Sequence, residues 1–280
     1  MTEIDEGRYL YCLVSAPSED RELVTDFTTT GIEDEPVSVL TAGDIGAVVH
    51  RCDSLYDSDD PQTIQRWLLS HQRVVTDAGE VFGTPIPFQF DTILTGGEEA
   101  VREWLASEAN RLETALSALG GHWEYRIEVS HHEDAHTELT AADEALSELQ
   151  HKIESADSGT AYLLERQYDK QLTERLRKHR QQQASELADR ISPHVSALES
   201  LGKRRSTGID VDTEQSSETE SIARFAVLAT DEGATELGDE LDEIADEPGV
   251  EVRFTGPWAP YTFAPEIDSQ QQSANAHRGE

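Results

Sequence analysis

Lysine is nearly missing from this chain: of 280 residues only Lys152, Lys170, Lys178 and Lys203 are lysine, so arginine carries most of the positive charge. Methionine occurs once, cysteine twice, and aromatic residues make up 6%. Each shortage excludes something. No apolar run approaches the roughly 20 residues of a spanning helix, and the opening MTEIDEGRYLYCLVS lacks the basic-then-apolar order of an export signal. The expectation is a soluble, cytoplasmic protein with no membrane partner. In a reducing cytosol two cysteines predict buried free thiols at Cys12 and Cys52 rather than a disulfide framework. Phosphate-cradling GxxxxGK(S/T) and GxGxxG turns are absent and neither cysteine has an evident catalytic histidine arrangement, so no cofactor and no catalytic site is indicated, while the many carboxylates leave a catalytic pair open.

Positive charge is scarce as well. With 57 acidic against 22 basic residues the formal net charge is -35, the pI is near 4.4 and the mean hydropathy is -0.56. Such a chain repels itself in dilute salt, and molar salt removes that problem. An acidic, lysine-poor chain is what salt-accumulating haloarchaea make, and the source is read that way. Nucleic acid and anionic membranes are excluded as main partners, because both need a basic footprint. Disorder is excluded by periodic apolar segments that recur through most of the chain.

What is present is an alternation of strand and helix patterns. RYLYCLVS, Arg8 to Ser15, reads as a strand buried on both faces, and Val37 to Arg51 as two strands around the Ala42-Gly43-Asp44 turn. Asp60 caps a helix with Pro61 at its first position and a stripe of Ile64, Trp67, Leu68, His71, Val74, Val75 and Ala78. Thr84 to Leu94 is strand-like, with prolines that confine its first half to an edge. Glu98 to Leu119 reads as a helix whose stripe Glu108 interrupts. His122 to Ser130 alternates as a half-buried strand. Helices are expected over 140–156 and 160–201, the second kinked or broken near Pro193. Strands near 206–211, over Ser221 to Thr230 and over Val250 to Phe254 follow, with a helix from Glu232 to Ala245.

The fold class is α+β in two domains. Residues 120–265 give the strand, helices, strand, strand, helix, strand order of a ferredoxin-like split βαβ domain with a long helical hairpin or coiled-coil-like insertion. Residues 1–119 form a related antiparallel α/β sandwich, and 266–280 a disordered tail. A faint internal echo links PIPFQF at Pro85 with GPWAPYTF at Gly256.

Three stretches compete for function. HHEDAH holds His131, His132 and His136, and alternating imidazole and carboxylate can hold a divalent metal. Its spacing matches no structural zinc pattern, and a solvated loop is preferred. ERQYDKQLTERLRKHR concentrates Arg166, Lys170, Arg175, Arg177, Lys178 and Arg180 on one helix, beside Glu165, Asp169 and Glu174. A salt-bridged solvated face is the plain reading, and a dock for an acidic partner the alternative. FTGPWAPYTF, Phe254 to Phe263, puts Phe254 and Trp258 at one parity and Tyr261 and Phe263 at the other. The preferred reading is a register reset at Gly256-Pro257 in a closing strand, with Pro257, Trp258, Pro260 and Tyr261 as candidate partner-binding residues.

RYLYCLVS, VFGTPIPFQFDTIL, GTAYLLERQYDK and VEVRFTGPWAPYTF, in that order, resemble the gas vesicle proteins of the GvpL/GvpF family, most closely its haloarchaeal L members. The Gly-Pro-Trp followed by Pro-Tyr and Phe is the most specific element. Two departures stand out: Asp91 where the family usually has glycine, and Ala259 where it often has proline. The resemblance implies two α+β domains and a non-enzymatic accessory protein of gas vesicle formation. Its expected partners are the hydrophobic shell protein GvpA and other accessory gas vesicle proteins during nucleation and early assembly, and it is a possible minor vesicle component. The rival reading is a ferredoxin-like metal- or small-ligand-binding protein or enzyme using the His131–His136 cluster.

Overall fold

The computed structural model describes residues 3–17, 19, 21–132, 143–202, 219–265 and 267. Contacts divide them into two units, one of residues 3–124 and 256–265, the other of 125–202 and 219–255. Each holds an antiparallel sheet.

In the first unit, β1 (Glu3–Ser15), β2 (Ser38–Ala42), β3 (Ile45–Ser54) and β4 (Ile86–Pro87) stand in the order β2-β3-β1-β4, and β5 (Ile93–Thr95) also pairs with β1. The register slips between Leu10 and Cys12, so Tyr11 is an extra residue in β1. Such a bulge leaves neighbouring side chains on one face. Tyr9, Tyr11, Cys12 and Val14 therefore share a core with Val74, Val75 and Ala78 of α2 (Pro61–Phe82), while Leu10 and Leu13 are buried outside that cluster. On the strands also pack α3 (Glu98–Ser107) and α4 (Ala109–Leu119), with Val101, Leu105 and Leu112 buried. A short helix absent from the sequence reading, α1 (Arg21–Asp26), follows β1.

The second unit orders β6 (Trp123–His132), β7 (Ala197–Ser200), β8 (Thr219–Ala229) and β9 (Val250–Trp258) as β7-β8-β6-β9. Both sheets thus run second, third, first, fourth strand of their own series. Tyr125, Ile127 and Val129 bury one parity of β6, as alternation predicts. Two helices between β6 and β7, α5 (Glu144–Ser155) and α6 (Ser158–Ile191), pack on each other as a hairpin. Between β8 and β9, α7 (Asp231–Ala245) buries Leu237, Leu241 and Ile244.

Several boundaries differ from the sequence reading. The helix expected over 160–201 ends at Ile191, in a 3₁₀ turn carrying Pro193, and 197–200 is strand β7. Proline has no N–H to continue the ladder, and the residue before it avoids helical backbone. The single helix expected over 98–119 is two, parted at Glu108, whose ψ of 4° leaves the helical well. The strand read at 84–94 is two short pieces, β4 and β5, parted by a turn at Asp91 with φ 64°. Residues 256–265, assigned by sequence to the second domain, pack with the first unit. The strand read near 206–211 and nearly all of the 266–280 tail lie outside the described residues.

Candidate protein-binding surfaces

Gly256, at φ 141°, has a backbone that side-chain-bearing residues rarely adopt, and the Gly256-Pro257 peptide is cis. The chain changes allegiance there. Before it, Phe254 stacks on Tyr125 at 5.3 Å in the second unit. After it, Ala259 and Pro260 are buried in the first unit, and Tyr261 packs on the core there. A turn follows, with Tyr261 N–H donating to the Ala259 carbonyl and Phe263 N–H to that of Pro260. Glu124, only 1% exposed, clamps this strap: one carboxylate oxygen accepts the Thr262 N–H at 2.7 Å and the other the Thr262 hydroxyl at 2.8 Å. Charge-assisted bonds of this kind are short and roughly twice as strong as neutral ones. Of the four candidates on the strap, Pro257 and Trp258 face solvent, Trp258 at 43% exposure, while Pro260 is buried and Tyr261 mostly so.

Beneath Tyr261 lies a polar floor that the sequence did not reveal. The Tyr11 hydroxyl accepts the Ile32 N–H and meets His50 Nδ1 at 2.7 Å, and His50 Nε2 meets the Tyr56 hydroxyl at 2.9 Å. The Tyr9 hydroxyl accepts the Asp91 N–H and meets His71 Nδ1 at 2.8 Å. Each phenol oxygen already accepts an N–H, so its own proton is the one left for Nδ1; this assigns the neutral Nε2–H tautomer to both histidines. Burial pushes both imidazoles down to about 4, His50 further opposed by the charge of His71, and His71 partly restored by the Phe88 backbone. Burial likewise raises the Tyr9, Tyr11 and Tyr261 phenols well above their ordinary range. Tyr261 meets the His71 ring at 6.5 Å between centroids. The Tyr261 hydroxyl is buried without a hydrogen-bond partner among the described residues. Neutral rings locked this way make a rigid seat for the strap.

Asp91 closes the floor. Its carboxylate accepts the Tyr56 N–H at 3.1 Å, and burial raises its pKa. It stands at positive φ, the backbone that glycine favours.

The six basic residues all lie on α6. Arg166, Lys170, Arg175, Arg177 and Lys178 are exposed and Arg180 is half-buried. Arg175 pairs with Asp143 at 3.1 Å at the start of α5, and Lys178 with Glu174 at 3.2 Å one turn away. The salt-bridged reading thus describes part of the face. Of the histidine cluster, His131 and His132 end β6, and His136 lies outside the described residues. Among the described residues no group of His, Cys, Asp and Glu gathers as a metal site. Cys12 and Cys52 are free and buried.

These features define a two-unit α+β protein whose distinctive groups are a clamped aromatic strap and a basic helix face. A family model described as gas vesicle synthesis protein GvpL/GvpF matches residues 7–265. The chain is 44% identical over 269 residues to gas vesicle protein L2 of Halobacterium salinarum, spanning 95% of this chain and 94% of that protein. It is 37% identical over 290 residues to gas vesicle protein L of Haloferax mediterranei, spanning 94% and 89%. The crystal structure of gas vesicle protein GvpF from Anabaena superposes with a TM-score of 0.72 at 18% identity, covering 93% of this chain and 99% of that one, a likeness of fold. The chain belongs to the GvpL/GvpF family of gas vesicle synthesis proteins. Membership supports a role in gas vesicle formation and points away from catalysis. No helix among the described residues is long and apolar enough to cross a membrane.

Proposed function

We propose that this protein is a non-enzymatic assembly factor of the cytoplasm that binds the shell protein GvpA and other accessory gas vesicle proteins during nucleation and early assembly, and that it can stay with the vesicle as a minor component. Family membership supplies the setting, and the chemistry of the task fits. A subunit hydrophobic enough to line a gas space aggregates in water before it assembles, and a soluble acidic partner that covers it prevents this. We also read the second unit as ferredoxin-like, on its βααββαβ series, in which a helical hairpin stands for the first crossover helix, and its β7-β8-β6-β9 sheet.

The observation that carries the binding reading is Trp258. A large aromatic at 43% exposure is held between a solvent-facing Pro257 and a buried Ala259-Pro260 pair, on a strap clamped by Glu124. A rigid, exposed indole costs little side-chain entropy on binding, which is why tryptophan dominates interface hot spots. Trp258→Ala is expected to leave the thermal midpoint nearly unchanged and to weaken binding to GvpA or an accessory partner by roughly tenfold or more, the range of a hot spot. Unchanged affinity in molar salt, with native circular dichroism, would overturn this role for Trp258.

A further inference from the structure

The outer half of α6 presents a second surface of different chemistry. Starting from Leu163, the positions Arg166, Lys170, Thr173 and Arg177 follow at alternating steps of three and four, the spacing that keeps side chains in one line toward a partner helix. All five are exposed, Leu163 at 67%, with neighbouring Tyr162 at 58%. Continued in the same steps, the line reaches Leu187, half-buried, and Ile191, fully buried at the base of the helix. One seam is therefore packed at its inner end and open at its outer end. The opposite side of the helix is already used: Arg175, far around the cylinder from Lys170, ties α6 to α5 through Asp143.

Arg166, Lys170 and Arg177 close no ion pair among the described residues. The carboxylate of Glu174 beside them is held by Lys178, and Arg177 and Lys170 only add to the field that lowers its pKa. Three cations in line, headed by an exposed Tyr-Leu pair, stand on a chain with a net charge of -35.

We propose that the outer seam of α6 docks an acidic amphipathic helix of another gas vesicle protein in a coiled-coil-like pair, Tyr162 and Leu163 supplying the apolar anchor and Arg166, Lys170 and Arg177 the register. This rests on the assembly reading above and names the partner chemistry for one surface. A second copy of this chain is disfavoured because it brings the same large negative charge against three cations, whereas a single helix brings only its own acids. Phosphate polyanions meet the same repulsion. In molar salt the Debye length falls to about 3 Å, so only contact ion pairs and the apolar anchor survive screening.

The probe is a synthetic helix of about three heptads with a leucine seam flanked by glutamates, and a counterpart with lysine at every glutamate. Binding to the full chain is read by fluorescence anisotropy in molar potassium chloride. The glutamate helix should bind saturably and the lysine helix should not. Combined Arg166→Glu, Lys170→Glu and Arg177→Glu should weaken the glutamate helix by at least about tenfold and let the lysine helix bind in its place. Leu163→Asp should abolish both, and the milder Leu163→Ala should weaken both while leaving the helix content intact. Equal binding of the two probes, or a change under about twofold in the triple variant, overturns the proposal. So does native self-association, or binding of duplex DNA, that the triple variant removes. Failure to bind any gas vesicle protein would remove the assembly reading, but the peptide result would still decide the chemistry of this seam. Conversely, native affinity for gas vesicle proteins in the triple variant removes the seam and leaves the assembly reading standing.

Discussion

At the scale of single residues, the buried histidines set how stability depends on pH. His50 and His71 are both lowered to about 4, below the ordinary 6.5, so the unfolded chain takes up protons first. Their contribution is complete above about pH 6.5 and drains away as the pH falls toward 4, by up to about 3 kcal/mol for each histidine. Burial raises Asp91, which offsets part of that loss. Denaturant titrations between pH 7 and 4 should show the decline, and His71→Phe should flatten it. A profile with no slope in that window would contradict neutral burial. Asp91 tests the backbone: Asp91→Asn tolerates the positive φ and keeps an acceptor for Tyr56, so it should fall within about 0.5 kcal/mol of the native chain. Asp91→Val puts a β-branched residue there and should cost about 2 kcal/mol. Gly31→Ala places a methyl against the Tyr11 hydroxyl, breaks the bond to His50, and should cost roughly 2 kcal/mol in chemical denaturation. The sequence shows these residues but not their meeting. Tyr9 finds His71 across 62 positions and Tyr11 finds His50 across 39, and no local pattern encodes such pairings.

At the scale of elements, most of the chain was legible because apolar periodicity and caps are local. Asp60 and Asp157 both cap helices through their side chains, the first as read from sequence. Where the reading failed, something cut a pattern that would otherwise run on. Glu108 parts α3 from α4, Pro193 ends α6, and Asp91 parts β4 from β5. A break at Pro193 was one of the two outcomes read there, but the strand that follows it and the parting at Glu108 were not visible, since a kink and a break share a sequence signature. The extra residue at Tyr11 was invisible because β1 is apolar on both faces and alternation cannot report a slip there. The head of α6 offers a direct test. Asp157 accepts the N–H groups of Gly159 and Thr160 at 3.1 Å each. Asp157→Ala should loosen the first turns, seen as faster hydrogen exchange through Tyr162 and Leu163 with the rest of the helix unchanged. Equal exchange in both proteins would show that hairpin packing, not the cap, holds that end.

For the whole molecule, charge dominates. A net charge of -35 makes the folded state dependent on screening, so the thermal midpoint should climb steadily with potassium chloride, most steeply below about 1 M, where the Debye length changes most. The two-unit plan was legible from strand order, but its boundary was not. Gly256, Pro257 and Trp258 end β9 of the second sheet, and it is the side-chain partners of the residues after them, Glu124 and His71, that place the stretch with the first unit. The same stretch carries Trp258, so fold and proposed function meet in one strap. The most direct measurement is association of the purified chain, in molar potassium chloride, with GvpA and with other accessory gas vesicle proteins. The account predicts a saturable complex with at least one of them, weakened by Trp258→Ala. No complex with any of them, from a chain that keeps its native circular dichroism, would contradict it.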